Sequence, residues 1–137
     1  MNLRMCLSAL VTLIASIVLS GCDAGQARRH YSMGAIGNAH HGRELISSYG
    51  CGACHMVPGV QGARGLVGPP LYYIANRTII AGQLPNTPDN LTRWIQHPRS
   101  VEPKTAMPEL GVSGAEAYDI AAYLYTVRDE ERLSWTD

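Results

Sequence analysis

The chain has 137 residues, which is enough for one domain built around one hydrophobic core. Lys and Arg together number 11, and so do Asp and Glu, which makes the formal net charge at pH 7 zero. This balance excludes the strongly basic character that nucleic-acid binding or a polybasic membrane patch requires, and we expect no nucleic acid among the partners.

The N-terminal segment is typical of an export signal. Arg4 precedes an apolar run from about Met5 to Leu19, and small residues follow the run. An uncleaved transmembrane anchor is the alternative, but the run is shorter than the roughly 20 residues that a spanning helix needs. We therefore predict a cleaved signal peptide over residues 1–21.

The run LSGC, which ends at Cys22, resembles the lipobox of bacterial lipoproteins. The resemblance implies that Cys22 becomes the lipidated first residue of the mature chain and anchors it to a membrane. Asp23 resembles a residue that favours the inner membrane in some bacteria. Because Cys6 leaves with the signal peptide, the free thiols that remain are Cys51 and Cys54, which provide no structural disulfide framework.

Composition divides the mature chain into three parts. Residues 22–38 lack an apolar period and contain many small and polar residues, which predicts a flexible tether. A folded domain is expected over residues 39–130, and residues 131–137 are expected to form a C-terminal tail. The tether would let the domain stand off the bilayer and reach its partners.

The first part of the domain is predicted to contain one helix and a long loop. Leu45 and Ile46 have helical spacing ahead of Gly50, where the helix is expected to end. Residues 58–70 are rich in glycine and proline, which predicts a loop. A short helix is expected within residues 71–80.

Capping residues mark two later helices. Thr87 is a predicted N-cap with Pro88 at the first helical position, and that helix is expected to stop at Pro98. Ser113, with Glu116 three residues later, predicts a capping box at the start of the last helix. Because strand-like alternation is nearly absent, the predicted fold class is all-α, with about four helices and long loops.

The run CGACH places Cys51, Cys54 and His55 within five residues. Such a pair of thiols suits a redox disulfide, half of a zinc site, or covalent attachment of haem. Zinc would need two further ligands, and a thioredoxin-like dithiol would need a βαβ context, neither of which the sequence offers. One helical turn lets both sulfurs reach the two vinyl groups on one porphyrin edge. The pattern therefore favours haem, with His55 as the proximal iron ligand.

A second iron ligand is expected on a loop far along the chain. Met107 meets this requirement, because Pro108 keeps it out of α conformation and Pro103 stiffens the approach. Rival ligands are Met33, Met56, His40, His41 and His97. Of these, Met56 adjoins the proximal ligand and Met33 lies in the tether. His97 at a helix end is more often solvated or capping, and His40 and His41 lie on the wrong side, so Met107 is the predicted ligand.

With these motifs the chain resembles the class I monohaem cytochromes c of bacterial type, over roughly residues 39–128. The matching pieces are GRELI at 42–46, CGACH at 51–55, GPPL at 68–71, Arg77, NLTRWI at 90–95, Pro98, KTAMP at 104–108 and AAYLYTVR at 121–128. The chain is similar in particular to the cytochrome domains attached to haem-copper oxidases. The resemblance implies a small all-α cytochrome c fold of about four helices wrapped around one covalently bound haem c.

The resemblance also implies how the haem pocket is built. The first and last helices would cross at Gly42, with Ile46 and Tyr123 packing nearby. Pro69 or Pro70 would lie over the proximal face, and one of their carbonyls would accept a hydrogen bond from the proximal histidine.

Further pocket residues follow from the same resemblance. Arg77 would pair with a haem propionate, and Trp94 would donate to a propionate through its indole N–H. A solvated charge for Arg77 and plain core packing for Trp94 are the alternatives. Leu71 and Tyr123 would pack against the haem. Phe is absent from the chain, and Ile46 stands where the family often has an aromatic residue.

Two strong-field ligands would leave the iron no open position, so the resemblance implies electron transfer and not catalysis. The expected protein is a lipid-anchored electron carrier on the periplasmic side of a bacterial membrane, with the inner membrane favoured. Its partners would be redox proteins such as a quinol-oxidising complex, a dehydrogenase or a terminal oxidase. The alternatives are a fixed subunit of an oxidase or dehydrogenase complex, and a haem sensor or peroxidase-like enzyme.

Overall fold

The computed structural model describes residues 36–127. The predicted signal peptide, Cys22, most of the tether and the C-terminal tail lie outside the described residues and stay predictions. Within residues 36–127, no helix combines the length and the apolar character that crossing a membrane requires.

Helices dominate the described part of the chain, which confirms the predicted all-α class. Its helices are α1 (Ala39–Ser48), α2 (Pro88–Gln96), α3 (Pro98–Val101) and α4 (Gly114–Leu124), with single 3-10 turns at Cys51–Ala53 and Ile74–Asn76. A small hairpin of strands β1 (Ile79–Ile80) and β2 (Leu84–Pro85) lies between the second 3-10 turn and α2.

Local capping explains where α1 begins and ends. The side chain of Asn38 accepts hydrogen bonds from the backbone N–H groups of His40 and His41, at 3.1 and 3.2 Å. At the other end Gly50 has a φ of 67°, a left-handed conformation that glycine adopts without strain. The predicted stop at Gly50 is therefore confirmed, and it leads the chain directly into the cysteine motif.

The predicted caps of α2 and α4 are also confirmed. The Thr87 hydroxyl accepts from the Asn90 backbone N–H at 3.2 Å. The Ser113 hydroxyl accepts from the Glu116 backbone N–H at 3.4 Å, and the Glu116 carboxylate accepts from the Ser113 N–H at 3.0 Å. Pro98 does more than end α2. It is also the first residue of the one-turn helix α3, because proline at that position gives up no intrahelical hydrogen bond.

Helices α1 and α4 cross at Gly42, as the resemblance implied. A Cβ atom at Gly42 would overlap the backbone of Asp119 and would lie 2.9 Å from the Ile120 nitrogen. The two helix backbones can approach this closely because glycine has no side chain.

The short helix expected within residues 71–80 is only partly present. One 3-10 turn occupies Ile74–Asn76, and Ile79 and Ile80 then form β1, which pairs antiparallel with β2. β-Branched residues suit a strand, and Ala81 and Gly82 turn the chain with φ values of 51° and 73°. Hydrogen bonding across this tight turn replaces the expected helix.

The core joins all three longer helices and the loop that follows the cysteine motif. Its most deeply buried apolar members are Ile46, Val57, Ala63, Ala117, Ile120 and Ala121. Leu91 and Ile95 bring α2 into the same core. These helices and loops leave a cavity between them, and that cavity contains most of the predicted site.

Candidate functional site

An apolar cavity of about 310 Å³ lies among α1, α2, α4 and the loops between them. This volume lies at the small end of the range of ligand pockets, which is roughly 300–1,000 Å³. The predicted site residues in its wall are Cys51, Cys54, His55, Pro69, Leu71, Arg77, Trp94 and Met107. The fold thus brings together side chains that are separated by more than half of the domain's sequence.

Two predicted site residues lie outside the cavity wall. The Pro70 carbonyl accepts a hydrogen bond from Arg77 Nη2 at 2.8 Å. The Tyr123 hydroxyl donates to the Pro58 carbonyl at 2.6 Å, which directs this side chain towards the loop after the cysteine motif. Tyr123 is therefore not among the residues that line the cavity, and its packing against the haem stays a prediction.

The cysteine motif forms a single tight turn directly after α1. The backbone N–H groups of Cys54 and His55 both donate to the Cys51 carbonyl, at 3.2 and 3.0 Å. Both thiols and the imidazole consequently lie in one wall of the cavity. Burial raises the pKa of the Cys51 thiol. A redox dithiol of the thioredoxin type depends on a lowered thiol pKa, so this environment argues against that alternative.

The imidazole of His55 is held by one hydrogen bond at Nδ1. Its partner is the Pro69 carbonyl at 2.7 Å, which settles which of the two prolines supplies the acceptor. Since a carbonyl can only accept, Nδ1 carries a proton, and in the neutral imidazole Nε2 is the nitrogen that can bind a metal. This is the second-sphere arrangement that fixes the tautomer of metal-binding histidines.

Gly68 packs against the same imidazole and was not among the predicted site residues. A Cβ atom at Gly68 would lie 2.6 Å from His55 Nδ1. The Gly68 N–H also donates to the Cys54 carbonyl at 2.8 Å, which holds the loop along the cysteine motif. The glycine directly before two prolines was the signal in the sequence for this close approach.

Met107 lies half-buried in the loop between α3 and α4, where it contributes to the cavity wall. Its backbone N–H donates to Thr105 Oγ1 at 3.1 Å, which stabilises the loop locally. Of the histidines and methionines that the structure describes, only His55 and Met107 line the cavity. The rivals His40, His41, His97 and Met56 lie outside that wall, and Met33 lies outside the described residues.

Arg77 and Trp94 both line the cavity and are half-buried. Arg77 is not simply a solvated charge, because its guanidinium donates to the Pro70 carbonyl. Trp94 projects from α2 into the wall beside Leu91 and Ile95. Pairing of these two side chains with propionates stays a prediction.

The rest of the wall is mainly apolar and was not predicted residue by residue. It includes Ile46, Tyr49, Ile74, Ile80, Leu91, Ile95, Leu110, Val112, Ile120 and Leu124. The helical spacing of Ile120 and Leu124 predicted a buried helix face, but it did not predict that this face would line a cavity.

The donor set of the wall fits haem c. Two thiols one turn apart can form two thioethers, the imidazole presents a free Nε2, and the thioether of Met107 is a soft second ligand. Among the described residues, no group of three or more His, Cys, Asp or Glu side chains is arranged to hold a bare metal ion. The chemistry of the wall therefore suits a prosthetic group better than zinc.

A sequence model of the cytochrome c family matches residues 39–128, which is most of the domain described above. The chain belongs to the cytochrome c family. Membership of this family implies haem c as the cofactor and electron transfer as the general function. The predicted resemblance is thus confirmed.

One curated cytochrome relative adds to this picture. The chain is 32% identical over 91 residues to cytochrome c oxidase subunit 2 of Alkalihalophilus pseudofirmus, an alignment that covers 66% of this chain and 26% of that protein. The chain therefore corresponds to about a quarter of that relative's length. No solved structure matches the chain.

Proposed function

We propose that this cytochrome c carries one covalently bound haem and transfers electrons while tethered to the periplasmic side of a bacterial membrane. The main support for this proposal is that the CGACH motif and Met107 line the same cavity. The LSGC run at Cys22 supports the lipid tether, and the apolar run before it supports export.

Four side chains have direct roles in this proposal. Cys51 and Cys54 would hold the haem through thioethers, and His55 and Met107 would bind its iron. Haem c, when bound, supplies an iron that alternates between the ferrous and ferric states. The apolar wall excludes water and disfavours the extra charge of the ferric form, while methionine as a ligand favours ferrous iron, so we expect a high reduction potential.

Electron transfer is favoured over catalysis because His55 and Met107 together would leave the iron no position for a substrate. A sensor or a peroxidase needs a ligand that leaves. The loop that presents Met107 is held by its own hydrogen bond to Thr105 and by the proline that follows it. This bracing supports a permanent thioether ligand and a site that binds no substrate.

An exposed apolar surface supports docking of a redox partner close to the cavity. Leu66 and Val67 are 83% and 77% exposed, and Leu110 is 39% exposed. Val67 and Leu110 also line the cavity, so this surface lies next to the proposed haem. We call these three residues the apolar rim. Because the chain carries no net charge, the apolar rim and not electrostatic steering is expected to guide association.

A fixed subunit of a terminal oxidase is the second candidate function. The observation that favours it is the similarity to a protein named cytochrome c oxidase subunit 2. In this case the same domain would pass electrons to one permanent partner. A terminal oxidase is the expected electron acceptor in both cases.

The axial ligands are tested by visible spectra of the purified ferric and ferrous protein with Met107→Leu and Met56→Leu. Leucine keeps the volume of methionine but has no thioether. We expect a weak band at the red edge of the ferric spectrum in the wild type and in Met56→Leu, but not in Met107→Leu. A wild type without this band that binds carbon monoxide at once would contradict the proposal and favour a sensor or an enzyme.

The tether and the carrier role are tested by fractionation of cells that produce the wild type or Cys22→Ala. We expect the wild type in the membrane fraction and the variant in the soluble periplasmic fraction. Detergent extraction then separates the two candidate functions. A carrier is extracted alone, whereas a fixed subunit is extracted together with large membrane subunits.

A further inference from the structure

We propose that Asn86 is a positioning residue that controls the reduction potential from outside the cavity. This inference rests on the proposed function, since it assigns His55 as the proximal ligand. Asn86 lies between β2 and Thr87, the N-cap of α2, and does not line the cavity. It acts through a series of hydrogen bonds that ends at the His55 imidazole.

The Asn86 side chain makes three hydrogen bonds and is half-buried. Its Nδ2 donates to the carbonyls of Ile74 and Arg77, at 2.7 and 2.8 Å. Its Oδ1 accepts from the Tyr125 hydroxyl at 2.8 Å. Since the amide has two N–H donors, both are used, and a flipped amide would place its oxygen against two carbonyls. The orientation of Asn86 is therefore determined by its partners.

These bonds fix the backbone around Arg77. The Asn86 backbone N–H adds a further bond, to the Thr78 carbonyl at 2.9 Å. The Ile74 carbonyl is at the first residue of a 3-10 turn and also accepts from the Arg77 backbone N–H at 3.2 Å, and Arg77 directly follows the turn. Because Asn86 bonds to the carbonyls at both ends of this turn, it restricts the direction in which the Arg77 side chain leaves the backbone.

The Arg77 side chain connects this segment to Pro69 and Pro70. Its Nη2 donates to the Pro70 carbonyl at 2.8 Å, while the neighbouring Pro69 carbonyl accepts from His55 Nδ1 at 2.7 Å. The ring of proline restricts φ, so the two carbonyls move nearly as one unit. Displacing Pro70 would therefore lengthen or bend the bond from Pro69 to the imidazole.

The strength of the bond at Nδ1 affects the iron through the other ring nitrogen. A strong acceptor at Nδ1 makes Nε2 a more basic ligand, which stabilises the ferric state and lowers the reduction potential. A weaker bond has the opposite effect. Loosening the Asn86 contacts should therefore raise the potential. Because Asn86 is neutral, its replacement changes no charge near the haem, whereas replacing Arg77 would change both geometry and charge.

The experiment uses the purified holoprotein and two pairs of variants. Asn86→Ala removes the three side-chain bonds, and Tyr125→Phe removes only the hydroxyl that meets Oδ1. The matched controls are Asn90→Ala, which removes an amide bonded to the Pro85 carbonyl, and Tyr118→Phe, which removes a hydroxyl bonded to Asp89. Neither control touches the segment that carries Arg77.

Two measurements are made on every protein: the midpoint potential and the solvent exchange of the His55 Nδ1 proton by NMR. We expect a higher potential in Asn86→Ala, a smaller rise in Tyr125→Phe, and no shift in the controls. Loss of one hydrogen bond should accelerate exchange of the ring proton roughly tenfold. Exchange of the Ile120 backbone amide, which lies in the buried face of α4, reports on overall unfolding and should change much less.

Unchanged potentials in both Asn86→Ala and Tyr125→Phe would overturn the inference while leaving the proposed function intact. Equal acceleration of exchange at His55 and Ile120 would also overturn it, because Asn86 would then contribute only general stability. A wild type without a haem spectrum would contradict the proposed function and this inference together. If Asn86→Ala does not fold, the potential of Tyr125→Phe decides.

Discussion

At the scale of single residues, the His55 imidazole depends on contacts from a loop that has little secondary structure. The Pro69 carbonyl fixes its Nδ1 proton, and Gly68 lets the loop backbone pass directly over the ring. Both contacts come from consecutive residues whose backbone is held on the Cys54 carbonyl. Contacts within the protein therefore hold the ring, which is the arrangement that supports a fixed metal ligand.

Replacing Gly68 with alanine should displace this ring. The added Cβ would lie 2.6 Å from His55 Nδ1, so either the imidazole or the loop must move. Overpacking of this kind typically costs about 1–3 kcal/mol. We expect Gly68→Ala to lower the free energy of unfolding and to weaken the low-spin haem spectrum.

Gly114→Ala is the matched control for this change. A Cβ at Gly114 would meet only Gln96 Nε2, at 3.9 Å, and the position lies in the first turn of α4. We expect an unaltered spectrum and a stability equal to or slightly above that of the wild type. An unaltered spectrum in Gly68→Ala as well would contradict the role assigned to Gly68.

At the scale of secondary-structure elements, side-chain hydrogen bonds join α1 to α4 on either side of their crossing. The Asp119 carboxylate accepts from the Asn38 backbone N–H at 2.7 Å and contacts His41 Nδ1 at 2.8 Å. At the other end of α1, the Tyr49 hydroxyl donates to Glu116 at 3.0 Å. Both ends of α1 are thus attached to carboxylates of α4, and the close contact at Gly42 lies between them.

Acid should weaken this attachment through Asp119. The hydrogen bond with His41 and the one from Asn38 hold the pKa of the Asp119 carboxyl below its ordinary value. A lowered pKa in the folded state stabilises the protein above the ordinary pKa of about 3.9, and this contribution is lost as the pH falls through the lowered pKa. We expect Asp119→Asn to reduce the acid-dependent loss of unfolding free energy, measured by urea titration from pH 6 down to about pH 3.

Glu44→Gln provides the comparison for Asp119→Asn. The Glu44 carboxylate lies 3.6 Å from His40 Nδ1 on the surface of α1, with a side chain that is 60% exposed. Exposed ion pairs contribute little to stability, so this variant should follow the pH profile of the wild type. Identical profiles for all three proteins would show that Asp119 does not couple folding to pH.

The capping box of α4 gives a prediction that belongs to this scale too. Ser113→Ala removes the hydroxyl that accepts from the Glu116 N–H, while the backbone N–H of residue 113 can still donate to the Glu116 carboxylate. Loss of a serine N-cap typically costs about 1 kcal/mol. We expect a decrease of that size in the free energy of unfolding, measured by denaturant titration.

Ser47→Ala is the control for the capping box, because Ser47 lies on the exposed side of α1. Substitutions of this kind are usually within about 0.5 kcal/mol of the wild type. An effect of Ser113→Ala no larger than that of Ser47→Ala would mean that the observed box adds nothing to stability.

At the scale of the whole molecule, three helices and two loops close around one cavity whose edge reaches solvent at the apolar rim. Leu66 and Val67 are adjacent, largely exposed apolar side chains, and an exposed apolar patch is typical of an interaction surface. Because the apolar rim lies beside the cavity, a partner docked on it would be close to the proposed haem. Electron transfer requires such a short distance between donor and acceptor.

A charge placed in the apolar rim should slow electron transfer to the partner. We expect Val67→Asp to reduce the second-order rate on the order of tenfold, which corresponds to about 1.4 kcal/mol, with an unchanged visible spectrum. Stopped-flow oxidation of the ferrous protein by membranes that contain the oxidase measures this rate. The rate of the wild type should depend only weakly on salt, because the chain has no net charge.

Ile79→Asp tests whether the position of the charge matters. Ile79 is 47% exposed in β1 and does not line the cavity. We expect its rate to stay close to that of the wild type. Equal slowing by both substitutions would place the docking surface elsewhere or make it diffuse.

The sequence by itself determined the features whose physical chemistry is local. The cysteine motif, the stop at Gly50 and the caps at Thr87 and Ser113 each depend on residues within a few positions of one another, so spacing and residue type were enough. The all-α class followed from the same signals, and the resemblance to cytochromes c came from the order of these motifs.

Only the tertiary structure decided which distant groups meet. Three contacts join segments that lie far apart in the chain or on separate turns. They are the bond from His55 to the Pro69 carbonyl, the bond from Tyr123 to the Pro58 carbonyl, and the contacts of Asn86. A proline carbonyl or an asparagine amide has no intrinsic preference for one distant partner. Packing at Gly42 and in the loops determines the path of the backbone. That path decides which distant partner each group meets, and so completes the site.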